Sequence, residues 1–440
     1  MVNALVIGHG AREHVIGETL SRFGAKLHAF MSFKNAGLED LSQGRIKIHS
    51  ETDFKEIIDY CKENYIDFVV IGPEAPLVVG IVDAIEKNGI PCVGPKIEAA
   101  QLEGSKIFTR GLLQKYKINS NILSKKFNSL EGVEEYVKEM GIDNIVVKPD
   151  GLTGGKGVKV YGDHLFSLND ILNYCRDLVK GRNSFLLEEK CDGEEFTLQT
   201  FVDGKNVVGT PLVQDHKRAY ENDEGPNTGG MGSYSMDDHL MPFISKSDID
   251  DAINDMKKVV AAVKAETGVE YKGFLYGQYM KTAMGIKLIE FNVRLGDPEA
   301  MNVLPLLETN FIDICLGIIN GNLRSNISFE RKATVCKYLA PEGYPITPKK
   351  DAPIIVNQNK LEEIGAKYYY ASVYRENGKI FTTSSRAMGI LGIANDLKQA
   401  EEIAEKGVNC IEGELFHRKD VGTMKLLQKR IDHMNSILNK

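Results

Sequence analysis

KLIEFNVRLGDPE, Lys287 to Glu299, decides how this chain is read, together with an upstream glycine-lysine loop, VVKPDGLTGGKGVKV, Val146 to Val160. Leu288, Ile289 and Phe291 mark a buried strand. Glu290 and Asn292 stand two apart, so on a strand they share one face at a separation of about 6.6–7 Å. Mg²⁺ takes hard oxygen ligands and commonly shares them with substrate phosphates. Two oxygens on one strand face can therefore hold two ions on either side of a triphosphate. Arg294, next on that face, is placed to hold a phosphoryl group through its transfer. The competing reading is an edge strand with a solvated polar face, against which the apolar neighbours argue, since buried Glu and Arg need partners. Gln278, twelve residues upstream in FLYGQYM, offers a further oxygen if the two strands pair, or is a structural amide.

In the loop, Gly151, Gly154, Gly155 and Gly157 surround Lys156. Glycines let backbone N–H groups approach phosphate oxygens, and lysine adds a point charge. No Ser or Thr follows a Gly-Lys pair, so this is not a Walker loop; the alternative is a glycine-rich hairpin turn. Lys148 ends the preceding apolar run, as a phosphate contact or a snorkelling strand end. In LLEEKCDG, Glu188, Glu189, Lys190 and Cys191 leave a strand for a turn, where backbone groups can meet an adenine edge and carboxylates a ribose; solvated surface is the plainer reading. Loop and strand together imply ATP used to activate a carboxylate.

At 440 residues the chain has length for about three domains. A net charge of −7 with no basic block argues against a nucleic-acid partner. No apolar run approaches the ~20 residues that span a bilayer, and MVNALVIGHG reads as a first buried strand rather than a signal peptide. Seven cysteines, scattered and never spaced C-x-x-C, suit reduced thiols in the cytoplasm rather than disulfides or zinc. Monomer is the expectation for the assembly.

The expected fold class is α/β and α+β multidomain. Residues 1–101 alternate apolar runs (Ala4–Ile7, Leu27–Phe30, Phe68–Ile71, Cys92–Val93) with helical patterns such as Val78, Val79, Val82 and Ile85, giving an open parallel α/β sheet. Residues 102–330 form the central region, opened by a helix-rich join from Lys96 to about Tyr116, with a small α+β subdomain at about 121–202. Residues 331–440 form a C-terminal α+β domain with a hairpin turn at Glu376-Asn377-Gly378 and a closing helix, Leu397 to Val408.

The order K-P-D-G-x-x-x-G-K-G, E-E-x-x-D-G-E-E, D-H-K-R…G-P-N-T-G-G-M-G and E-F-N-x-R-x-G-D-P-E resembles the phosphoribosylamine–glycine ligase family, as do GHGAREH, VIGPEAPLVVGIVD and GPKIEAAQLEGSK. The resemblance covers essentially the whole chain. It implies an ATP-grasp core with a small lid subdomain, and a reaction joining glycine to 5-phosphoribosylamine through glycyl phosphate, with ATP and two Mg²⁺ or Mn²⁺ ions. Carried over by position, it puts Lys106, Lys148 and the loop of Gly154, Gly155, Lys156 and Gly157 on ATP phosphates. Glu188, Glu189, Lys190, Cys191 and Glu195 fall on the adenosine hinge, and Gln278, Glu290 and Asn292 on the metals. Arg294, Lys148 and Asp297 are the implied catalytic groups. Asp215, Lys217, Asn227, Thr228, Gly229, Gly230 and Arg294 border glycine and the acyl phosphate. Gly8, Gly10, Arg12, Glu13, His14, Pro73 and Glu74 receive the sugar phosphate, with Arg386. The chain departs from the family pattern at His9 and Ala11, at Val293 and Leu295 in place of Cys and Phe, and at Ser384-Ser385 before Arg386 in place of Gly-Gly.

Three rivals stand beside this reading. A carboxylase activating bicarbonate would keep Glu290 and Asn292 without needing GPNTGGMG. An NAD-dependent oxidoreductase would explain Gly8-His9-Gly10 after a strand, but Glu13 occupies the third glycine position and no acidic residue ends the second strand. A nucleotide sensor would bind ATP without turnover.

Overall fold

The computed structural model describes residues 2–152 and 157–439. The N-terminal runs form a fully parallel sheet in the order Ile46–Ile48, Lys26–Met31, Asn3–Ile7, Phe68–Ile71, Cys92–Val93. Ile46–Ile48 escaped the sequence reading because it is three residues long, on the sheet edge and without a fully buried side chain. The pattern through Val78 and Ile85 is two helices, Glu74–Val78 and Ile81–Lys87. Gly80 separates them at φ +91°, a left-handed conformation that glycine adopts without steric cost.

Helices Ile97–Gly104 and Lys106–Lys115 lead into a small antiparallel sheet, ordered Ser124–Phe127, Phe185–Glu189, Ile145–Pro149, Lys159–Val160. Strand alternation sorts its faces. Ile145, Val147, Phe185 and Leu187 pack under helices Val133–Met140 and Leu168–Lys180. Lys148 and Glu188 therefore fall on the opposite face. This small sheet has its own apolar cluster, separate from the two that run through the N-terminal and central units.

The expected subdomain limit at 202 needs correction. FLLEEKCDGEEFTLQTFV is split between two sheets: Phe185–Glu189 belongs to the small one, and Glu194–Asp203 pairs along its whole length with Lys272–Thr282. Both halves are apolar and alternating, so the split shows only in the pairing. The central sheet runs Val207–Gly209, Glu194–Asp203, Lys272–Thr282, Gly285–Asn292, with Gln278 opposite Glu290.

Residue 331 is likewise no sheet boundary. Ala333–Pro341 pairs on one side with Met388–Ala394 and on the other with Gly232–Ser235, which pairs in turn with Gln214–Asp215. The hairpin Val373–Glu376 to Lys379–Thr382 turns at Asn377 and Gly378, both at positive φ as a type I′ turn requires. Helix Leu397–Val408 is present but does not close the chain. A further helix, Met424–Leu438, packs against Glu194–Asp203 and Lys272–Thr282. Its buried Leu426, Leu427, Met434 and Ile437 are diluted by Lys425, Lys429 and Arg430, so the stripe is weak in sequence. Among the described residues no helix is long and apolar enough to cross a membrane.

Candidate active site

The small sheet, the central sheet, the helix starts at Arg12 and Glu74 of the N-terminal unit and the segment from Gln214 to Gly229 enclose a cleft of about 740 Å³. At the small-sheet end, Glu188 is fully buried between two cations. Lys148 Nζ lies 2.7 Å from Glu188 Oε2, and Arg110 donates through Nε to Oε1 at 2.7 Å and through NH2 to Oε2 at 3.2 Å. Arg110 also donates to the carbonyls of Leu288 and Ile289 at 3.0 and 2.9 Å, the two residues before Glu290. Burial opposes the Glu188 charge, but Arg110 and Lys148 outweigh it and hold the carboxyl down at about 2. The Glu188 carboxylate is therefore engaged within the protein by Lys148 and Arg110, which leaves the backbone of this segment as the group facing outward for an adenine edge. Arg110 was missed in sequence; it is one basic residue on a helix, without a motif.

Lys106 Nζ donates to the Gly151 carbonyl at 2.7 Å; burial and then Lys148 lower its pKa. Asp150 accepts from Ser105 Oγ and from the Ile107 N–H, each at 3.1 Å, which ties the start of the glycine loop to the helix carrying Lys106. Gly154, Gly155 and Lys156 lie outside the described residues. Gly157 accepts from Tyr174 OH at 2.7 Å. Glu189 accepts from the Leu123 N–H, and Lys190 Nζ donates to the Tyr161 carbonyl, both in the cleft wall. Cys191 lines the same wall, its thiol pushed up to about 11 by burial and Glu189.

At the other end the balance reverses. Lys217 faces Asp215, Glu195, Glu290 and Glu299. Its Nζ donates to Gln278 Oε1 and lies 3.9 Å from Glu290 Oε1, while Gln278 Nε2 donates to Glu195 Oε2. Gln278 is completely buried at the cleft wall opposite Glu290, where its amide bridges Lys217 and Glu195. Glu290 keeps 37% of its side chain exposed to the cleft, and Lys217, Lys148 and Lys106 lower its pKa against burial. Asn292 Oδ1 accepts from Arg294 NH2 at 3.1 Å. Burial drives the Asp215 carboxyl up to about 7, Lys217 opposing and Glu299, Glu195 and Glu290 reinforcing the rise. Among the described residues no three acids, histidines or cysteines converge closely enough to hold an ion by themselves; Glu290 and Asn292 line the cleft with hard oxygens, the donor type a divalent cation shares with a phosphate.

Arg294 is held by Glu103 at 3.1 Å and Glu74 at 3.3 Å, and both acids line the cleft. Arg294 pulls Glu74 down to about 2 against burial, whereas deep burial leaves Glu103 at about 7 despite Arg294. Asp297 Oδ1 accepts from Tyr338 OH at 2.6 Å and lies 3.3 Å from Arg386 NH1. Arg386 stacks 4.3 Å over the Tyr338 ring and donates to the carbonyls of Gly229 and Gly230 at 3.0 and 2.8 Å. Its guanidinium thus reaches the loop through backbone despite Ser384-Ser385. Thr228 donates from N and Oγ1 to the Lys217 carbonyl at 2.7 and 2.9 Å, which folds Asn227 to Gly230 back over Lys217.

Two expected sugar-phosphate residues serve the scaffold. Glu13 turns back on the first helix, accepting from the Gly10 N–H at 2.6 Å and from Arg12 Nε at 2.6 Å. Its carboxylate occupies the positive helix start that a phosphate would use. A Cβ on Gly8, at φ +120°, would stand 2.6 Å from Glu13 Cγ, and one on Gly72 2.1 Å from Glu13 Oε1, so both glycines make room for that side chain. His14 is buried against Tyr369 and Tyr370, accepts from the Tyr370 N–H at 2.9 Å and is pushed down to about 4 by burial. Both readings are corrected from substrate contact to packing. Arg12, beside Glu74, does line the cleft; Gly10 and Pro73 flank Glu13 from the loop and the next strand end. His216 is buried in the wall with both ring nitrogens unpartnered and is pushed down to about 3 by burial and Arg418, which suits neither donor to the protein nor base.

The N domain of phosphoribosylglycinamide synthetase matches residues 2–103, its ATP-grasp (A) domain residues 104–300 and its C domain residues 334–424. A phosphoribosylamine–glycine ligase of Methanococcus vannielii is 48% identical over 99% of this chain and 100% of its own length. That of Thermococcus gammatolerans is 47% identical over 98% of this chain and 97% of its own. The chain belongs to the phosphoribosylamine–glycine ligase family. The crystal structure of the Thermotoga maritima phosphoribosylamine–glycine ligase superposes with a TM-score of 0.81 at 27% identity, covering 95% of this chain and 100% of that one. Biotin carboxylase of Campylobacter jejuni shares the fold, with a TM-score of 0.72 at 14% identity over 98% of this chain and 97% of that one. ATP-grasp members of this ligase family use ATP with Mg²⁺ or Mn²⁺.

Proposed function

We propose that the protein is an ADP-forming carbon–nitrogen ligase that joins glycine to 5-phosphoribosylamine, giving glycinamide ribonucleotide, ADP and phosphate in the second step of de novo purine synthesis. One observation carries the reading: a single cleft holds clustered ammonium groups at one end and clustered carboxylates at the other. A nucleoside triphosphate with divalent cations complements both at once.

A carboxylate accepts an amine only after one of its oxygens becomes a leaving group. In the proposed path a glycine oxygen attacks the γ-phosphorus of ATP and the bond to ADP breaks. The amine then attacks the glycyl carbonyl, phosphate departs and the amine loses a proton. Lys148 and Lys106 face the polyphosphate. Lys148 is kept in place by Glu188. Arg294, fixed by Glu74 and Glu103, offsets charge on the transferring group. Glu290 and Asn292 would hold Mg²⁺ or Mn²⁺, two ions in the full reading, and such ions neutralise polyphosphate charge and polarise the γ-phosphoryl group. Asp215, Lys217, Asn227, Thr228, Gly229 and Gly230, with Asp297 behind them, border glycine, and Arg386 stays with the sugar phosphate. Gly8, Gly10, Arg12 and Pro73 border the sugar phosphate, and Glu189 to Cys191 with Glu195 the adenosine. Acyl phosphates hydrolyse, so the small sheet, with its separate core, serves as the lid that excludes water.

The reading extends to a monomeric cytoplasmic enzyme with small-molecule partners and no nucleic acid, supported by the acidic net charge and by seven free cysteines. Phosphate release with ATP and phosphoribosylamine tests it. Release that requires glycine supports the ligase; release that requires bicarbonate instead, or none, rejects it.

A further inference from the structure

The helix Met424–Leu438 extends beyond the C-domain match, which ends at 424, yet it puts Arg430 in the wall of the cleft. Arg430 NH2 donates to Asp223 Oδ2 at 2.5 Å, and NH1 lies 3.3 Å from Glu194 Oε2 at the start of the central sheet. Asp223 sits in the turn between Arg218–Tyr220 and Glu224–Asn227. There Asn222 and Asp223 both adopt left-handed backbone, φ +61° and +63°. Residues other than glycine persist in that conformation when surrounding contacts hold them. Those contacts come from the C-terminal unit: Arg418 NH1 donates to Asp223 Oδ1 at 3.1 Å, and Asp420 Oδ2 accepts from the Asn222 N–H at 2.9 Å. The far strand of this hairpin leads directly into Asn227 and Thr228, and Thr228 is bonded to the Lys217 carbonyl. The near strand carries Arg218, whose NH2 reaches Asp163 of the lid at 2.6 Å.

We propose that Arg430 is a positioning residue: by clamping Asp223 to Glu194 it sets the 218–227 hairpin, and through it the placement of Lys217, Asn227 and Thr228 at the glycine end of the cleft. This role rests on the ligase activity proposed above. The clamp lies on the last helix and the Arg430 side chain is 19% exposed, so its loss should leave the folded chain intact.

The test uses the full chain as wild type, Arg430→Met, Arg430→Lys, Asp223→Asn and the Arg430→Met/Asp223→Asn double variant. Arg430→Met should raise the KM for glycine about tenfold, with the KM for ATP moving less than about threefold and an unchanged far-ultraviolet spectrum. Arg430→Lys should recover part of that loss. Asp223→Asn, which also frees Arg418, should lose at least as much, and adding Arg430→Met to it should change nothing further. A glycine KM within about twofold of wild type, additive losses, or an equal rise in the KM for ATP would overturn the clamp. Hydrogen exchange of the amides from 218 to 228 gives a readout independent of turnover. Faster exchange in Arg430→Met and Asp223→Asn supports the clamp, and unchanged exchange rejects it. Wild-type protein without glycine-dependent ADP release would instead reject the ligase reading, leaving the clamp to be judged on exchange alone.

Discussion

The two ends of the cleft carry opposite imbalances of charge. At the lid end one carboxylate, Glu188, answers Arg110 and Lys148, with Lys106 nearby. At the strand end Lys217 faces Asp215, Glu195, Glu290 and Glu299, and of these Glu290 is also reached by Lys148 and Lys106. The lid-end trio is buried, whereas Lys217 and Glu290 keep 35% and 37% of their side chains exposed, and the two clusters behave differently. Matched cations keep Glu188 ionised and make it a strut, whereas burial, reinforced by Glu299, Glu195 and Glu290 against Lys217, pushes Asp215 up to about 7. A buried charge that has its partners belongs to the scaffold, and one that lacks them marks where charge must arrive with the substrate.

The sharpest way to break this contrast is at Glu290. Glu290→Ala should lower turnover by about a thousandfold or more while circular dichroism stays native, because a ligand to the catalytic cation is lost. Near-normal ADP release would remove Glu290 from the metal site. Lys148→Met attacks the other end. It should cut kcat/KM for ATP by about a hundredfold, measured at saturating glycine; an effect confined to glycine would reverse the assignment of the two ends.

Glu188 has a folded pKa of about 2 against an ordinary 4.5, so its contribution is present above about 4.5 and is lost as pH falls toward 2. That shift corresponds to roughly 3 kcal/mol. Glu188→Gln should therefore be destabilised in urea at pH 7 and show a flatter loss of stability between pH 4.5 and 2 than the wild type. Asp215 has the opposite sign. Its folded pKa of about 7 lies above the ordinary 3.8, so the fold is favoured by protonation below 3.8 and loses that advantage as pH rises through 7. Asp215→Asn should melt about 2–4 °C above the wild type at alkaline pH, with the gap closing near pH 4. A constant gap would show that Asp215 acts through shape rather than charge.

Much of this architecture was readable because it rests on short periods. The spacing of Glu290 and Asn292 put them on one strand face, and the structure has both on the wall of the cleft. Parallel strands announced themselves as unbroken apolar runs, since both faces are buried. Where reading failed, partners distant in sequence were the reason. Glu188 looked like a hinge carboxylate until Arg110, 78 residues earlier, took it. Gln278 stood in the sequence as a metal ligand or a structural amide, and nothing local announced that the amine of Lys217, 61 residues away, would meet its oxygen. Glu13 and His14 sat in a motif that suggested a phosphate, but the first caps its own helix and the second packs on Tyr370, 356 residues away. The last helix had too dilute an apolar stripe to be seen.

By itself the sequence determined the family, the order of the units and which residue types the cleft would hold, because these depend on local period and on motifs within a few residues. Only the tertiary structure decided which carboxylates are neutralised and which are not. Pairing energy falls off within a few ångströms, and the groups that come that close are set by sheet register and helix packing rather than by distance along the chain.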